Sequence, residues 1–395
     1  AALASLDEVK SKPLIISVLV NLGGVYRQRG DLSQAENCYC RILRLAGDGI
    51  SSMRADAQYF LGDMLRLKGD NSGALKCYEK SLADREKLQD GKGMVRSLSA
   101  LSAVHRHCGA AVRAESCLLT ARRLLKDQGD LCGAASMSLL LGDLFFEQGQ
   151  FREAAEHYQK AFFGIEGVNF PLAAQAMARA GQCFLETGEL ALSENHLKRA
   201  AEIMRREEST TELADLLEKL AGLCRIQGRP NEALQYAQES LAIREGEGEA
   251  SSLAAVLSLA GLICSDLRRW PQGIECFQRA ADLLLESGNA LSAAEALSNL
   301  GSLYHLQGDL DGALECYSRS LRIYGEHGNS QGCSQTESNL GLIYQVRGDL
   351  ALAEEHLHRS LLAREEMGEE AGCSGLRLSL GRNRQLQGDW GSARE

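Results

Sequence analysis

Cysteine or histidine, the side chains that most often ligate zinc and meet oxidants, stands at Cys38, Cys77, Cys117, His157, His196, Cys276, Cys316 and His356. The steps are 39 or 40 residues, with Tyr236 filling the one place that is skipped. A ladder of metal ligands is the sharp chemical reading. The interval argues against it, because equivalent atoms on neighbouring helical layers lie on the order of 10 Å apart. A shared zinc ion needs its ligands within about 2.0–2.3 Å. The ladder therefore reads as medium-sized packing residues. His105, His107 and Cys108 are closer together, but they crowd one helix end with no second ligand set. Cys38 and Cys40 are two apart on a helix and point in different directions, so no disulfide is expected between them.

Two polar sets carry a different chemistry. Arg27, Arg66, Arg96 and Arg106 recur over three successive units, and a strip of guanidinium groups suits the carboxylates or phosphates of a ligand. Asn299 and Asn339 occupy the same position in adjacent units. An asparagine amide offers both a donor and an acceptor, which matches the backbone of an extended peptide. No nucleotide motif accompanies them. Gly246-Glu-Gly248 and Gly91-Lys-Gly93 lack the strand and the frame of a phosphate loop. Nucleophile elbow, zinc-protease helix and perturbed carboxylate pair are all missing, so the chain reads as non-catalytic and without a cofactor.

The elements that position these residues follow from one repeat. A small residue returns at Gly23, Gly62, Ser102, Gly142, Gly181, Ala221, Gly261, Gly301, Gly341 and Gly381. Taking it as position zero, the spacing predicts helix A from about −7 to +6, with Leu usually at −1. Gly at +7, as in Gly30, Gly69 and Gly308, stops that helix in a left-handed residue. Asp at +8, as in Asp31, Asp70, Asp309, Asp349 and Asp389, caps helix B. Small residues at +12 and +19, with Ala393 the last at +12, allow close helix contacts. A ring at +16, such as Tyr39, Tyr78 or Tyr317, fills the space beside them. Helix geometry turns −6, −3, −2, +1, +4 and +5 away from helix B. That exposed side includes Asn21, Arg27, Arg66, Arg96, Arg106, Asn299, His305, Asn339 and Gln345.

This small–large–small pattern resembles the tetratricopeptide repeat over nearly the whole chain. The longer 40-residue form with Asn-Leu-Gly phrases is similar to Pins/LGN-type scaffolds and, less closely, to kinesin light chain. The Trp common before the glycine is missing, as is the Pro that usually ends helix B. The resemblance implies an all-α solenoid, a right-handed superhelix of about ten helix pairs. Residues 1–395 would form one array of about nine complete repeats and a truncated tenth, a piece of a longer chain. It also implies a concave face of A helices that binds a partner peptide, with Asn299 and Asn339 placed like the groove asparagines of Pins/LGN-type arrays. The carboxylate clamp for chaperone tails needs a Lys/Asn set that no three consecutive repeats supply. A sensor region attached to a signal-transduction NTPase is the other role open to such an array.

Composition narrows the setting. Residues 1–130 hold 20 Lys/Arg against 15 Asp/Glu, whereas residues 131–395 hold 23 against 38. Such an acidic balance disfavours nucleic acid, while the basic first third leaves room for an acidic partner there. No stretch is apolar enough to span a bilayer, and 13 scattered cysteines fit a reducing compartment. A cytoplasmic interaction scaffold is the expectation.

Overall fold

The computed structural model of the chain describes residues 12–47, 49–207 and 210–388. Nineteen helices and no strand occur among them. The chain divides into two compact units, residues 1–203 and 204–395. The first holds α1 (Lys12–Gln28), α2 (Leu32–Ala46), α3 (Ser52–Leu67), α4 (Asn71–Lys87), α5 (Gly91–His107), α6 (Ala111–Asp127), α7 (Leu131–Glu147), α8 (Phe151–Ile165), α9 (Phe170–Glu186) and most of α10 (Leu190–Arg206). The second holds α11 (Thr210–Ile226), α12 (Pro230–Glu247), α13 (Ala250–Asp266), α14 (Trp270–Glu286), α15 (Ala290–Gln307), α16 (Leu310–Glu326), α17 (Ser330–Arg347), α18 (Leu350–Glu366) and α19 (Glu370–Leu386). Odd-numbered helices are the expected A helices and even-numbered ones the B helices. Asp389 and Ala393 lie outside the described residues.

The helix ends are where the sequence placed them. Gly30, Gly69 and Gly308 all have positive φ. Asp31, Asp70 and Asp309 each accept from the backbone N–H three residues on, at 3.1, 2.8 and 3.0 Å. Asp349 stands at its cap position without that side-chain bond. A second left-handed residue closes the B helices at Gly129, Gly248, Gly288, Gly328 and Gly368. This turn replaces the proline that the family pattern uses there. Gln89 and Arg268 adopt the same conformation without being glycine, at φ 53° and 56°.

In five pairs the glycine at zero is a seat for the ring at +16, while Gly181 and Gly341 seat Leu197 and Leu357 instead. A Cβ added to Gly23 would lie 2.8 Å from Tyr39, one on Gly62 2.7 Å from Tyr78, and one on Gly261 2.7 Å from Phe277. At Gly142 the Tyr158 ring is closer still. Where zero carries a Cβ, at Ser102 and Ala221, the residue at +16 is not a ring but Leu118 and Ala237. Backbones also approach here, since a Cβ at Gly181 or Gly341 would stand 3.2 Å from the carbonyl at +12. At +19, Ser81 and Ser320 are fully buried and donate to Ala55 O and Ala294 O, each at 2.7 Å. A serine hydroxyl thus ties helix B to the start of its own helix A.

The Cys/His ladder at +15 is packing, with its side chains laid against position +3. Phe145 stacks on His157 at 5.1 Å and Tyr344 on His356 at 5.2 Å. Burial, aided by the charges of Lys160 and Arg122, lowers the His157 pKa to about 4. An unfolded histidine titrates near 6.5. Between those values the unfolded chain binds a proton that the folded chain refuses, so stability falls as pH drops from about 6.5 towards 4. The denaturation midpoint of the first unit is expected to lose less over that window in His157→Gln than in the unmodified chain. An identical pH slope would contradict the assignment. His105 is buried, while His107 and Cys108 are exposed, so the three do not converge. All 13 cysteines are free thiols.

Candidate functional site

Successive A helices touch one another, α13 with α15 and α15 with α17, so their outward positions form one wall in the second unit. Two cavities open on it. One, of about 360 Å³, is lined by Ser251, Ser258 and Leu262 of α13 and by Ser292, Glu295 and Asn299 of α15. The next, of about 300 Å³, takes Glu295, Ser298, Asn299 and Ser302 from α15 and Gln335, Thr336 and Asn339 from α17. Glu295 and Asn299 belong to both, which makes the two a continuous groove.

The groove contains engaged polar groups and open ones. Ser302 and the Tyr317 hydroxyl are 2.9 Å apart, the Ser298 and Ser320 hydroxyls lie 3.3 Å apart, and Gln335 accepts from Arg364 at 2.8 Å. These bonds hold the wall. Asn299 and Asn339 are half-buried, and neither amide has a hydrogen-bond partner among the described residues. Glu295 is exposed and likewise forms no ion pair or hydrogen bond there. Half-buried amides without partners are costly unless a ligand or water meets them. Beyond the groove, at +5, Leu306, Val346 and Leu386 are 55%, 63% and 57% exposed. They make an exposed apolar rim along α15, α17 and α19.

Other expected site residues are placed less productively. Gln345 reaches across to α19, donating to Ser379 O at 3.3 Å. His305 is half-buried but lines neither cavity. Asn21, in the first unit, is exposed on α1.

The arginine strip of the first unit is broken up by carboxylates. Arg27 lies 3.7 Å from Asp63, Arg96 2.9 Å from Asp56 and Arg106 3.8 Å from Glu147. Arg27 and Arg96 also lie over the rings of Phe60 and Tyr59. Arg66 faces the Tyr78 hydroxyl. Arg66 and Arg106 share a cavity of about 680 Å³ that also includes His107 and Glu147. An acidic ligand there would have to compete with Glu147.

Sequence reasoning missed an arginine at +23 of helix B. Arg85 is fully buried and pairs with Asp56 at 2.6 Å. Arg244, 5% exposed, contacts Asp215, Glu218 at 3.2 Å and Glu247 at 3.0 Å. Arg364 reaches Gln335. Each rises from beneath the wall to the −6 side chain of its own pair. The signal was present: the same position elsewhere holds Leu125, Ile165, Met204, Leu284 or Tyr324. Burial raises the pKa of Glu218 while Arg244 opposes the rise.

Tetratricopeptide-repeat profiles match residues 14–87, 172–246 and 252–326, with further matches over 120–163 and 335–359. The chain belongs to the tetratricopeptide-repeat family. Such repeats are protein-interaction modules, and the fold is generally non-catalytic. No curated protein matches the chain in sequence. Among solved structures it is similar to BtubC (BKLC) from P. vanneervenii, with 19% identity, 56% of this chain and 90% of that one covered, and a TM-score of 0.50. It is also similar to a signal transduction ATPase with a tetratricopeptide repeat sensor from Pyrococcus horikoshii, at 14% identity and a TM-score of 0.59. That match covers 81% of this tetratricopeptide-repeat chain but only 50% of the ATPase. Aspartyl phosphate phosphatase F from Bacillus subtilis gives 13% identity, 90% and 95% coverage, and a TM-score of 0.52. At these identities the likeness is one of fold. No helix among the described residues is long and apolar enough to cross a membrane.

Proposed function

We propose that this chain is a non-catalytic scaffold that captures an extended peptide segment of a partner protein along the A-helix wall of its second unit. The observation that carries the reading is the pair of unpartnered amides, Asn299 and Asn339, set one repeat apart in one groove. Each amide would donate to a peptide carbonyl and accept from a peptide N–H. Glu295, open between them, would favour a Lys or Arg side chain on the bound segment, and the Leu306–Val346–Leu386 rim would take its apolar residues.

The test uses an array of immobilised random peptides probed with the full chain. Net hydrogen bonds of about 0.5–1.5 kcal/mol each make a loss of about tenfold or more the expectation for Asn299→Ala with Asn339→Ala. Helicity and unfolding should stay as they were, because neither amide holds the fold. Glu295→Gln should weaken the Lys- and Arg-containing peptides selectively. Equal capture by wild type and the double variant would remove the groove from the account.

A further inference from the structure

The side chains at +3 and +15 of a helix pair face one another in the stacked Phe145–His157 and Tyr344–His356 pairs and the tilted Phe184–His196 pair. Eight of the nine pairs hold at most one cysteine at these two positions. The seventh holds two. Cys264 on α13 and Cys276 on α14 occupy the place where two rings meet elsewhere. Cys264 is 3% exposed within an apolar cluster that includes Ala260 and Ile263, and Cys276 packs on the same cluster while remaining partly open. Gly273, three residues before Cys276, brings the α14 backbone close enough that a Cβ there would lie 3.4 Å from that of Cys264.

The two thiols interact directly. The hydrogen bond between them lowers the pKa of Cys264 against the effect of burial, with the charge of Arg269 adding to it, and raises that of Cys276. The pair therefore combines a thiolate-forming sulfur with an adjacent thiol, the arrangement of an attacking and a resolving cysteine.

We propose that Cys264 and Cys276 form a dithiol site for small peroxides, closing on oxidation to a disulfide that joins α13 to α14. The Cys264 thiolate attacks one peroxide oxygen, the O–O bond breaks, and the departing hydroxide takes a proton to leave as water. Cys264 is then a sulfenic acid. Cys276 gives up its proton and its sulfur attacks the Cys264 sulfur, breaking the S–O bond and releasing the second water. Two thiols lose two electrons and the peroxide gains two. Because α13 supplies Ser251, Ser258 and Leu262 to the groove, the crosslink would fix one groove wall to the helix behind it. The inference does not depend on what the groove binds.

Trypsin gives a clean test, since residues 245–268 contain only Cys264 and residues 270–279 only Cys276. The folded full chain is treated with hydrogen peroxide, alkylated, digested without reduction and weighed. The expected product is these two peptides joined, two hydrogens lighter than their sum. It should disappear in Cys276→Ala, where Cys264 instead collects oxygen, and drop severalfold when the chain is denatured in urea before oxidation. Two results would overturn the proposal. One is unlinked peptides under conditions that oxidise the exposed Cys108. The other is the same linkage yield from the denatured chain.

Discussion

Gly142→Ala is expected to destabilise α7 and α8 by about 1–3 kcal/mol, the usual range for forcing an extra carbon into a packed core. The Tyr158 ring already occupies the place where that carbon would go, and its hydroxyl is tied to Asp143 at 2.6 Å. The ring cannot swing aside without giving up this bond. Gly301→Ala should cost less, because its Cβ would meet the Tyr317 ring at 3.0–3.1 Å and a shift of a few tenths of an ångström would admit it. At Gly222 nothing lies within 4 Å of an added Cβ. Alanine there should stabilise α11 by up to about 1 kcal/mol through helix propensity. Hydrogen exchange resolved by helix is the suitable measurement, since each repeat of a solenoid is coupled mainly to its neighbours. Equal effects at the three sites would contradict the seating of rings on glycines.

Arg244→Met should be the most damaging single change in the second unit. Removing one partner of a buried ion pair typically costs about 3–5 kcal/mol; that range applies to the contact with Glu218, while Asp215, 58% exposed, is screened by solvent. The loss has a pH signature. Burial already raises the Glu218 pKa, and Arg244 is the main influence opposing it. Without the arginine, folded Glu218 should bind its proton at still higher pH than the unfolded chain does. Uptake in the folded state stabilises it as pH falls. The deficit of the variant relative to wild type should therefore shrink on acidification from neutrality through the raised folded pKa, while ordinary carboxylates remain ionised. A pH-independent deficit would show that Arg244 acts through packing alone.

The fold was legible because steric rules write themselves into sequence at fixed spacing. Gly23, Gly62 and Gly142 recur where a ring must sit, and Gly30 and Gly69 where the chain must turn left-handed. The site was legible only in part. Asn299 and Asn339 could be placed on the outward face by helix periodicity, and the structure brings them into one groove. Periodicity does not report pairing, however. The arginines of the first unit looked like a free cationic strip because their partners, such as Asp63 for Arg27, stand 36 to 41 residues away. Gln345 looked equally available and is instead bonded across to α19. Arg85 and Arg244 were overlooked because a charge on a B helix reads as solvated unless its position is compared from repeat to repeat.

The most direct measurement is a crystal structure of the full chain with the tightest peptide from the array. The account predicts an extended segment in the groove between α13, α15 and α17, its backbone bonded to the amides of Asn299 and Asn339 and a basic side chain at Glu295. A peptide seated on the B helices, or in the groove with both amides untouched, would contradict it.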